Sequence, residues 1–204
     1  MITVLRPKGL LDPRSLEMCC DILKHGGIVC YPSETFYALG LDPWNEQARE
    51  KLYSLKGRSA GKDLPCIAAD SAMVTRFCDT SDPRFSQLAD RYWPGPLTIV
   101  LPVLNLDATL AVRVSSHPIA HQLSQALRSP IVSTSANLSG QPSVADPEQL
   151  PTQVREGIDV LIDAGITVGG LASTIVSLVG VTRILREGAI PPADVLRTVE
   201  GMRR

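Results

Sequence analysis

Short apolar runs, most of them rich in β-branched residues, alternate along the chain with amphipathic stretches of helical period. Such alternation is typical of an α/β layer fold, in which helices pack on a sheet. The apolar runs predict strands over residues 2–5, 28–31, 65–69, 97–101, 110–114, 131–134, 160–162, 174–178 and 183–185. The amphipathic stretches predict helices over residues 13–25, 46–55, 83–92, 117–127, 146–155 and 191–199.

Several helix starts are marked by polar residues that can accept hydrogen bonds from free backbone N–H groups. Asp12 and Asp82 are each followed by proline, which suits the first helical position, and Asn45 offers a cap to the second helix. The strands are spaced too irregularly for an alternating β/α barrel, and the last two predict a hairpin. We therefore expect a twisted mixed parallel and antiparallel sheet with flanking helices.

The composition is that of an ordinary globular protein, with 204 residues, of which 44% are hydrophobic and 20% charged. This length favours a single domain over residues 1–204. No apolar run approaches the ~20 residues that span a bilayer, and the N-terminal segment lacks the apolar stretch of a signal peptide. We therefore expect a cytoplasmic protein with no membrane partner.

The net charge and the spacing of the cysteines argue against two classes of ligand, long nucleic acids and metal ions. The net charge is −1, the pI is about 6.3 and aromatic residues make up 4% of the chain, whereas proteins that coat nucleic acid are usually basic. The 20 lysines and arginines can still form a local basic cleft for a small anionic substrate. The five cysteines form no C-x-x-C pair and the three histidines are isolated, so we predict reduced, buried thiols and no metal site.

The first candidate segment is YPSETFYALG, at residues 31–40, which directly follows a predicted strand. Ser33, Glu34 and Thr35 are polar residues in an otherwise apolar passage. They stand at the end of a strand, where open α/β sheets usually bind ligands. The alternative is the start of a helix, with Ser33 as its cap.

The second segment is LKGRSAGKDLP, at residues 55–65, in which two glycines interrupt the cations Lys56, Arg58 and Lys62. Glycines let the backbone approach a ligand closely, and a guanidinium can clamp phosphate oxygens through two hydrogen bonds. We therefore predict phosphate binding, although the segment is neither a Walker A loop nor a G-x-G-x-x-G fingerprint. The alternative is a basic loop exposed to solvent.

Arg113 lies inside the apolar run LAVRV, where a guanidinium is costly to bury without an anionic partner. A substrate carboxylate or phosphate would supply that partner, and an internal Asp or Glu is the alternative. The rigid turn WPGP, which precedes the strand at 97–101, is predicted to have a structural role.

The loop VSTSANLSG, at residues 132–140, concentrates hydroxyl and amide groups after a short strand. Ser133, Ser135 and Asn137, with the free backbone N–H groups of such a loop, suit phosphate or ribose recognition. The alternative is a simple turn. A nucleophilic serine is not predicted, because there is no G-x-S-x-G elbow and no motif ties a histidine to a serine.

The chain contains, in order, YPSETFYALG, LKGRSAGKDLP, YWPGPLTIVLP, VRVSSHPIA, STSANLSG, STIVSL and ILREGAI. Together these segments resemble the YrdC family, whose members include threonylcarbamoyl-AMP synthases. The resemblance extends over residues 31–190 and implies a YrdC-like mixed sheet with a concave, positively charged cleft. It also implies that L-threonine, bicarbonate or carbon dioxide, and ATP react to give threonylcarbamoyl-AMP and pyrophosphate. A separate transferase complex would then pass the threonylcarbamoyl group to an adenosine of certain tRNAs.

The resemblance also implies which residues form the site. The family's K-x-R pair falls on Lys56 and Arg58, which would carry the catalysis, with Arg58 also beside the ATP. The other implied ATP contacts are Lys62, Thr109, Ser133, Ser135, Asn137 and Arg186. The implied threonine contacts are Thr35, Arg113 and Thr174, or Ser173 beside it. ATP would be a substrate, with Mg²⁺ shielding the departing pyrophosphate.

Some positions depart from the family pattern, which more often has Thr, Val and Gly where this chain has Ser33, Phe36 and Ala38. The hydroxyl is kept at position 33, whereas Phe36 and Ala38 alter the shape of the small-substrate pocket. One alternative function is therefore that of a paralogue acting on a different carbamoylated substrate. The other is a non-catalytic RNA-binding module, and transient contact with tRNA or double-stranded RNA is expected of the same cleft.

Overall fold

A computed structural model describes residues 2–57 and 64–201 of the chain. Their strands are β1 (Thr3–Leu5), β2 (Val29–Pro32), β3 (Tyr37–Gly40), β4 (Cys66–Ala68), β5 (Leu97–Pro102), β6 (Thr109–Val114), β7 (Ile131–Val132), β8 (Thr134–Ser135), β9 (Val160–Ile162), β10 (Thr174–Ser177) and β11 (Arg183–Arg186). Their α-helices are α1 (Pro13–Lys24), α2 (Glu46–Lys56), α3 (Ser71–Phe77), α4 (Pro83–Tyr92), α5 (Pro118–Leu127), α6 (Thr152–Gly157) and α7 (Pro192–Glu200).

The strands form two sheets, and both mix parallel and antiparallel neighbours. The first has the order β1-β9-β2-β3-β8, with β2 antiparallel to β3 and parallel to β9. The second has the order β11-β10-β5-β6-β4-β7, and its strands β10 and β11 form the antiparallel hairpin predicted near the end of the chain. The mixed α/β class is therefore confirmed, but the strands are shared between two sheets, whereas the sequence pattern predicted one.

Ser133 is the point at which the chain passes from one sheet to the other. Strand β7 pairs with β4 in the second sheet, whereas β8 pairs with β3 in the first. Between them, the backbone N–H of Ser133 donates to the carbonyl oxygen of Pro65 at 2.7 Å. The prediction of one strand over 131–134 is therefore wrong, and the loop that follows begins at the junction of the two sheets.

The helices cover the sheets and fill the space between their faces. Helix α5 contacts β2 of the first sheet and β4 of the second, and α1 packs beside α5. Leu23, Tyr31, Ile67 and Leu123 meet there in one apolar cluster. The three predicted caps are confirmed: Asp12 accepts from the N–H of Arg14 at 3.0 Å, and Asp82 and Asn45 act in the same way.

Residues 31–40 form a β-hairpin made of β2, a tight turn and β3. The hydroxyl of Ser33 accepts from the N–H of Phe36 at 3.3 Å and donates to its carbonyl oxygen at 2.7 Å. Ser33 therefore closes a turn between antiparallel strands, and the alternative that it caps a helix is wrong.

Two helical regions differ from the sequence pattern. The helix predicted over 146–155 divides at Pro151 into a 3-10 helix, Pro147–Gln149, and α6, because proline lacks an N–H and restricts the preceding residue. Helix α3 was not predicted, although Asp70 caps it by accepting from the N–H of Met73 at 2.6 Å.

All five cysteines are free and buried, as predicted. Burial raises the pKa of the Cys78 thiol to about 11 and that of Cys19 to about 12, which keeps both protonated at neutral pH. Within residues 2–57 and 64–201, no helix is long and apolar enough to cross a bilayer.

Candidate active site

A cavity of about 480 Å³ opens where the two sheets meet. Its walls come from the turn of the β2–β3 hairpin, the end of α2, the loop after β8 and the segments around β10 and β11. The predicted site residues that line it are Thr35, Lys56, Arg113, Ser133, Ser135, Asn137, Ser173 and Arg186. Residues far apart in the sequence are therefore brought to one place.

Two of the other predicted residues, Thr109 and Thr174, stand elsewhere. Thr109 begins β6 and precedes Arg113 by four residues. Four residues of a strand span roughly 13 Å, so Thr109 lies about that far from Arg113 along the strand. It lines a second cavity, of about 620 Å³. The hydroxyl of Thr174 is wholly buried and donates to the carbonyl oxygen of Ile190 at 2.6 Å, so it braces the fold and does not border the cavity. Arg58 and Lys62 lie outside the described residues.

Lys56 reaches the cavity from the last turn of α2. The helix ends at Gly57, whose φ of +59° is left-handed and suits glycine. The ammonium group of Lys56 donates to the carbonyl oxygen of Ser135 and to Oδ1 of Asn137, the latter at 3.1 Å. The residue is only 4% exposed, so its ammonium is held against the loop that follows β8.

Asn137 uses both ends of its amide within the protein. Its Oδ1 accepts from Lys56 and from the hydroxyl of Ser135, and its Nδ2 donates to the carbonyl oxygen of Gln141. The backbone N–H of Ser139 donates to the carbonyl oxygen of Lys56 at 3.0 Å, which joins helix and loop a second time. Asn137 therefore orients Lys56.

Thr35 borders the cavity from the turn of the hairpin. Its hydroxyl lies 3.2 Å from that of Ser33. Its carbonyl oxygen accepts from the hydroxyl of Thr167 at 2.9 Å and from the N–H of Gly169 at 2.8 Å. The loop before β10 therefore fixes the backbone of Thr35 and leaves its side chain on the wall of the cavity.

Arg113 is paired with an internal carboxylate. Its Nη1 donates to Oε1 of Glu34, and the other carboxylate oxygen of Glu34 accepts from the hydroxyl of Ser115. The side chains of Arg113 and Glu34 are 8% and 13% exposed. Of the partners that the sequence left open, the structure contains the internal one, while Arg113 still lines the cavity.

Arg186 borders the same cavity with different partners. Its guanidinium donates to the carbonyl oxygen of Ser173 at 2.8 Å and to its hydroxyl at 2.9 Å. Among the described residues it makes no ion pair. Burial lowers the pKa of Arg186 from its ordinary value, and the positive charge of Arg113 lowers it further.

Sequence reasoning missed part of this site. Glu34 was noted only as one polar residue among several, although it is the partner of Arg113. Ser143, Ala172 and Ile175 also line the cavity, and none of them was singled out, although Ile175 lies in the segment STIVSL. In the part of the chain that the structure describes, no three His, Cys, Asp or Glu side chains are grouped as a metal site would require.

Comparison with known proteins gives the same family in sequence and in structure. A model of the Sua5/YciO/YrdC domain, described as "Telomere recombination", matches residues 21–188. The chain is 40% identical over 159 residues to a threonylcarbamoyl-AMP synthase of Idiomarina loihiensis, and this covers 72% of the chain and 83% of that protein. It is 29% identical over 213 residues to a threonylcarbamoyl-AMP synthase of Pyrococcus abyssi, which covers the whole chain and 62% of that protein.

Solved structures share the fold. The crystal structure of P. abyssi Sua5 complexed with L-threonine matches with a TM-score of 0.84 at 30% identity, over 98% of this chain and 61% of that one. The crystal structure of Escherichia coli YciO matches with a TM-score of 0.80 at 24% identity, over 93% and 96%, which shows the fold alone. The chain thus spans about three fifths of the P. abyssi protein. Because the domain model matches most of its length, the chain belongs to the Sua5/YciO/YrdC family.

Proposed function

We propose that this chain catalyses the ATP-dependent formation of L-threonylcarbamoyl-AMP and pyrophosphate from L-threonine and bicarbonate or carbon dioxide. It would thereby act as a nucleotidyltransferase in the modification of tRNA to threonylcarbamoyladenosine. The observation that carries the proposal is that Lys56, Arg113 and Arg186 come from separate segments and border one cavity. The relatives named threonylcarbamoyl-AMP synthase, and the Sua5 structure complexed with L-threonine, support it.

The reaction needs placement and charge stabilisation, without a nucleophile from the protein. The amine of threonine adds to carbon dioxide and loses a proton, which gives a carbamate. A carbamate oxygen then attacks the α-phosphorus of ATP, and the bond to the departing pyrophosphate breaks. The carbamate is unstable in water, so a pocket that excludes solvent protects it. Negative charge builds on phosphate oxygens, and fixed cations stabilise it there.

The threonine end of the cavity is assigned to Arg113, Thr35 and Ser173. A guanidinium recognises a carboxylate through two hydrogen bonds, so Arg113 would bind that of threonine. The hydroxyls of Thr35 and Ser173 lie on the same cavity and can bond the polar groups of the amino acid. Thr174 is left out of this group because its hydroxyl is bonded to the backbone of Ile190.

The phosphate end is assigned to Lys56, with Arg58 and Lys62 of the adjoining segment. Ser133 and Ser135 offer hydroxyls on the wall of the same cavity, and Arg186 contributes a further cation. Asn137, the other residue of the S-x-N motif, would act by orienting Lys56. Together these groups would form the concave basic cleft that the family resemblance implies.

Thr109 fits the nucleotide only if the bound ATP extends into the second cavity. Chain neighbours line the two cavities: Leu64 and Val132 line the second, and Pro65 and Ser133 line the first. The bound nucleotide would have to extend from the first to the second. We therefore keep Thr109 as a distal contact of the nucleotide, outside the catalytic group.

Mg²⁺ has no set of carboxylates to hold it among the described residues of the cavity. Mg²⁺ prefers oxygen ligands, and the carboxylate of Glu34, next to the cavity residue Thr35, is occupied by Arg113 and Ser115. The polar side chains among the described lining residues are hydroxyls, an amide and cations. We therefore assign Mg²⁺ to the phosphates of the substrate, and no step of the reaction is derived through it.

The test is to incubate the purified protein with ATP, bicarbonate and single amino acids, and to identify the adenylate by mass spectrometry. L-threonine should give threonylcarbamoyl-AMP with release of pyrophosphate, and L-serine and L-valine are the matched controls for the methyl and hydroxyl groups. A product with another amino acid would instead favour the paralogue, which is supported by Phe36 and Ala38 on the cavity wall. Salt-dependent binding of RNA with no pyrophosphate release would favour the RNA-binding module and refute the proposal.

A further inference from the structure

Glu34 contacts Arg113 from outside the cavity. Arg113 is part of the cavity wall, whereas Glu34 is not among the described residues that line it. One carboxylate oxygen accepts from Nη1 of Arg113 and the other from the hydroxyl of Ser115. The hydroxyl oxygen of Ser115 also accepts from the backbone N–H of His117 at 3.2 Å, so its own proton is directed to Glu34.

This arrangement leaves most of the guanidinium available. An arginine carries five N–H donors, and among the described contacts only Nη1 of Arg113 is bonded. A long side chain loses conformational entropy when it is ordered, and a contact that orders it beforehand removes that cost from ligand binding. The backbone that carries Glu34 is fixed, because Ser33 closes the turn by donating to the carbonyl oxygen of Phe36.

We infer that Glu34 is a positioning residue, which with Ser115 holds Arg113 in the orientation that receives the carboxylate of the amino acid substrate. The inference rests on the proposed function, because it takes the ligand of Arg113 to be an amino acid. It extends that function by assigning the affinity for the amino acid to a pair of residues that does not border the cavity. It also means that the positive charge of Arg113 is balanced, so that the site selects by geometry as well as by charge.

The opposing view is that Glu34 competes with the substrate for Arg113. Removing a competing carboxylate would strengthen threonine binding, whereas removing a positioning residue weakens it. Glu34→Ala and Glu34→Gln separate the two cases. Glutamine keeps an oxygen that accepts from Arg113 and an amide that can donate to Ser115, but it has no charge.

The experiment measures the Kd of L-threonine and, separately, of ATP by calorimetry on the full chain. Glu34→Ala should weaken threonine binding about tenfold, the usual scale for losing a residue that orients a ligand-binding group, and leave ATP binding unchanged. Glu34→Gln should bind threonine like the original protein. In an Arg113→Ala background, Glu34→Ala should have no further effect on threonine, because the group that it orients is gone.

Asp194→Asn is the matched control, since it breaks the remote, exposed pair between Asp194 and Arg197 and should change neither Kd. Ser115→Ala is the second variant for the case that Glu34→Ala does not fold, and it should weaken threonine binding several-fold. Unchanged or tighter threonine binding by Glu34→Ala, or by Ser115→Ala in that case, would overturn the inference. So would an equal loss of threonine and ATP binding. Absence of threonine binding to the unmutated protein would instead remove the proposed function, and the inference with it.

Discussion

Arg113 and Arg186 border the same cavity but are held in different ways. Arg113 is balanced by the carboxylate of Glu34, whereas Arg186 donates to the carbonyl and hydroxyl of Ser173 and has no ion pair among the described residues. An arginine beside a carboxylate adds little net field but has a fixed geometry, and one on neutral acceptors keeps its charge for a ligand. In the proposed function, Arg113 would therefore orient the amino acid, and Arg186 would attract the anionic nucleotide.

The largest effect is expected at Lys56, which borders the same cavity as the two arginines. Lys56→Ala should lower turnover at least ~100-fold, the scale on which a fixed electrostatic stabiliser contributes, and the same loss is expected of Arg58→Ala. Lys51→Ala is the control. Lys51 lies on the same helix, but it does not line the cavity, and its ammonium group pairs with the carboxylate of Asp159 at a distance of 2.9 Å. Release of pyrophosphate measures turnover. Near-normal release by either variant of the K-x-R pair would refute its role in catalysis.

Replacing each arginine in turn should affect the KM of a different substrate. Arg113→Ala should raise the threonine KM roughly 30-fold or more, the scale of truncating a buried charge partner, and change the ATP KM little. Arg186→Ala should act mainly on the ATP KM and should flatten its dependence on salt, because the unbalanced charge is removed. Steady-state kinetics at two ionic strengths measures both.

The folding stability of the same two variants sharpens this comparison. Arg113→Ala leaves the carboxylate of Glu34 buried without its cation, whereas Arg186→Ala leaves only the neutral groups of Ser173. Arg113→Ala should therefore lose more stability in urea, because an uncompensated buried charge is costly.

In the kinetic comparison, equal effects of Arg113→Ala on the KM of threonine and the KM of ATP would reject its assignment to the threonine carboxylate.

The elements of the fold were largely predictable because their signals are local. Caps such as Asp12 and Asp82, and apolar β-branched runs such as 97–101, depend on neighbours in the sequence. The division into two sheets was not predictable in this way. It depends on β7 and β8, which have two residues each and pair with strands far away in the chain. The apolar and polar pattern of residues 131–134 does not show that the chain passes from one sheet to the other there.

The site shows the same limit. Burial of Arg113 in an apolar run required an anion, but Glu34, 79 residues earlier, could not be identified as that anion from spacing. Asn137 was expected to orient a ligand, yet its amide bonds Lys56 and Gln141, and this follows only from the approach of α2 to the loop after β8. Residue types were therefore predictable from chemistry, whereas partners required the fold.

The smallest effect should distinguish two neighbours that the sequence left as alternatives, Ser173 and Thr174. Ser173→Ala removes a hydroxyl on the cavity wall and should raise KM a few-fold. It should also lose some stability, because that hydroxyl bonds the buried hydroxyl of Thr98 at 2.9 Å. Thr174→Val removes both hydrogen bonds to Ile190 in a fully buried place, which costs about 1–3 kcal/mol of unfolding free energy and should leave KM unchanged. Urea denaturation and threonine KM together check both. If Thr174→Val changed KM without losing stability, its hydroxyl would belong to the substrate, and the placement of β10 against the cavity would be wrong.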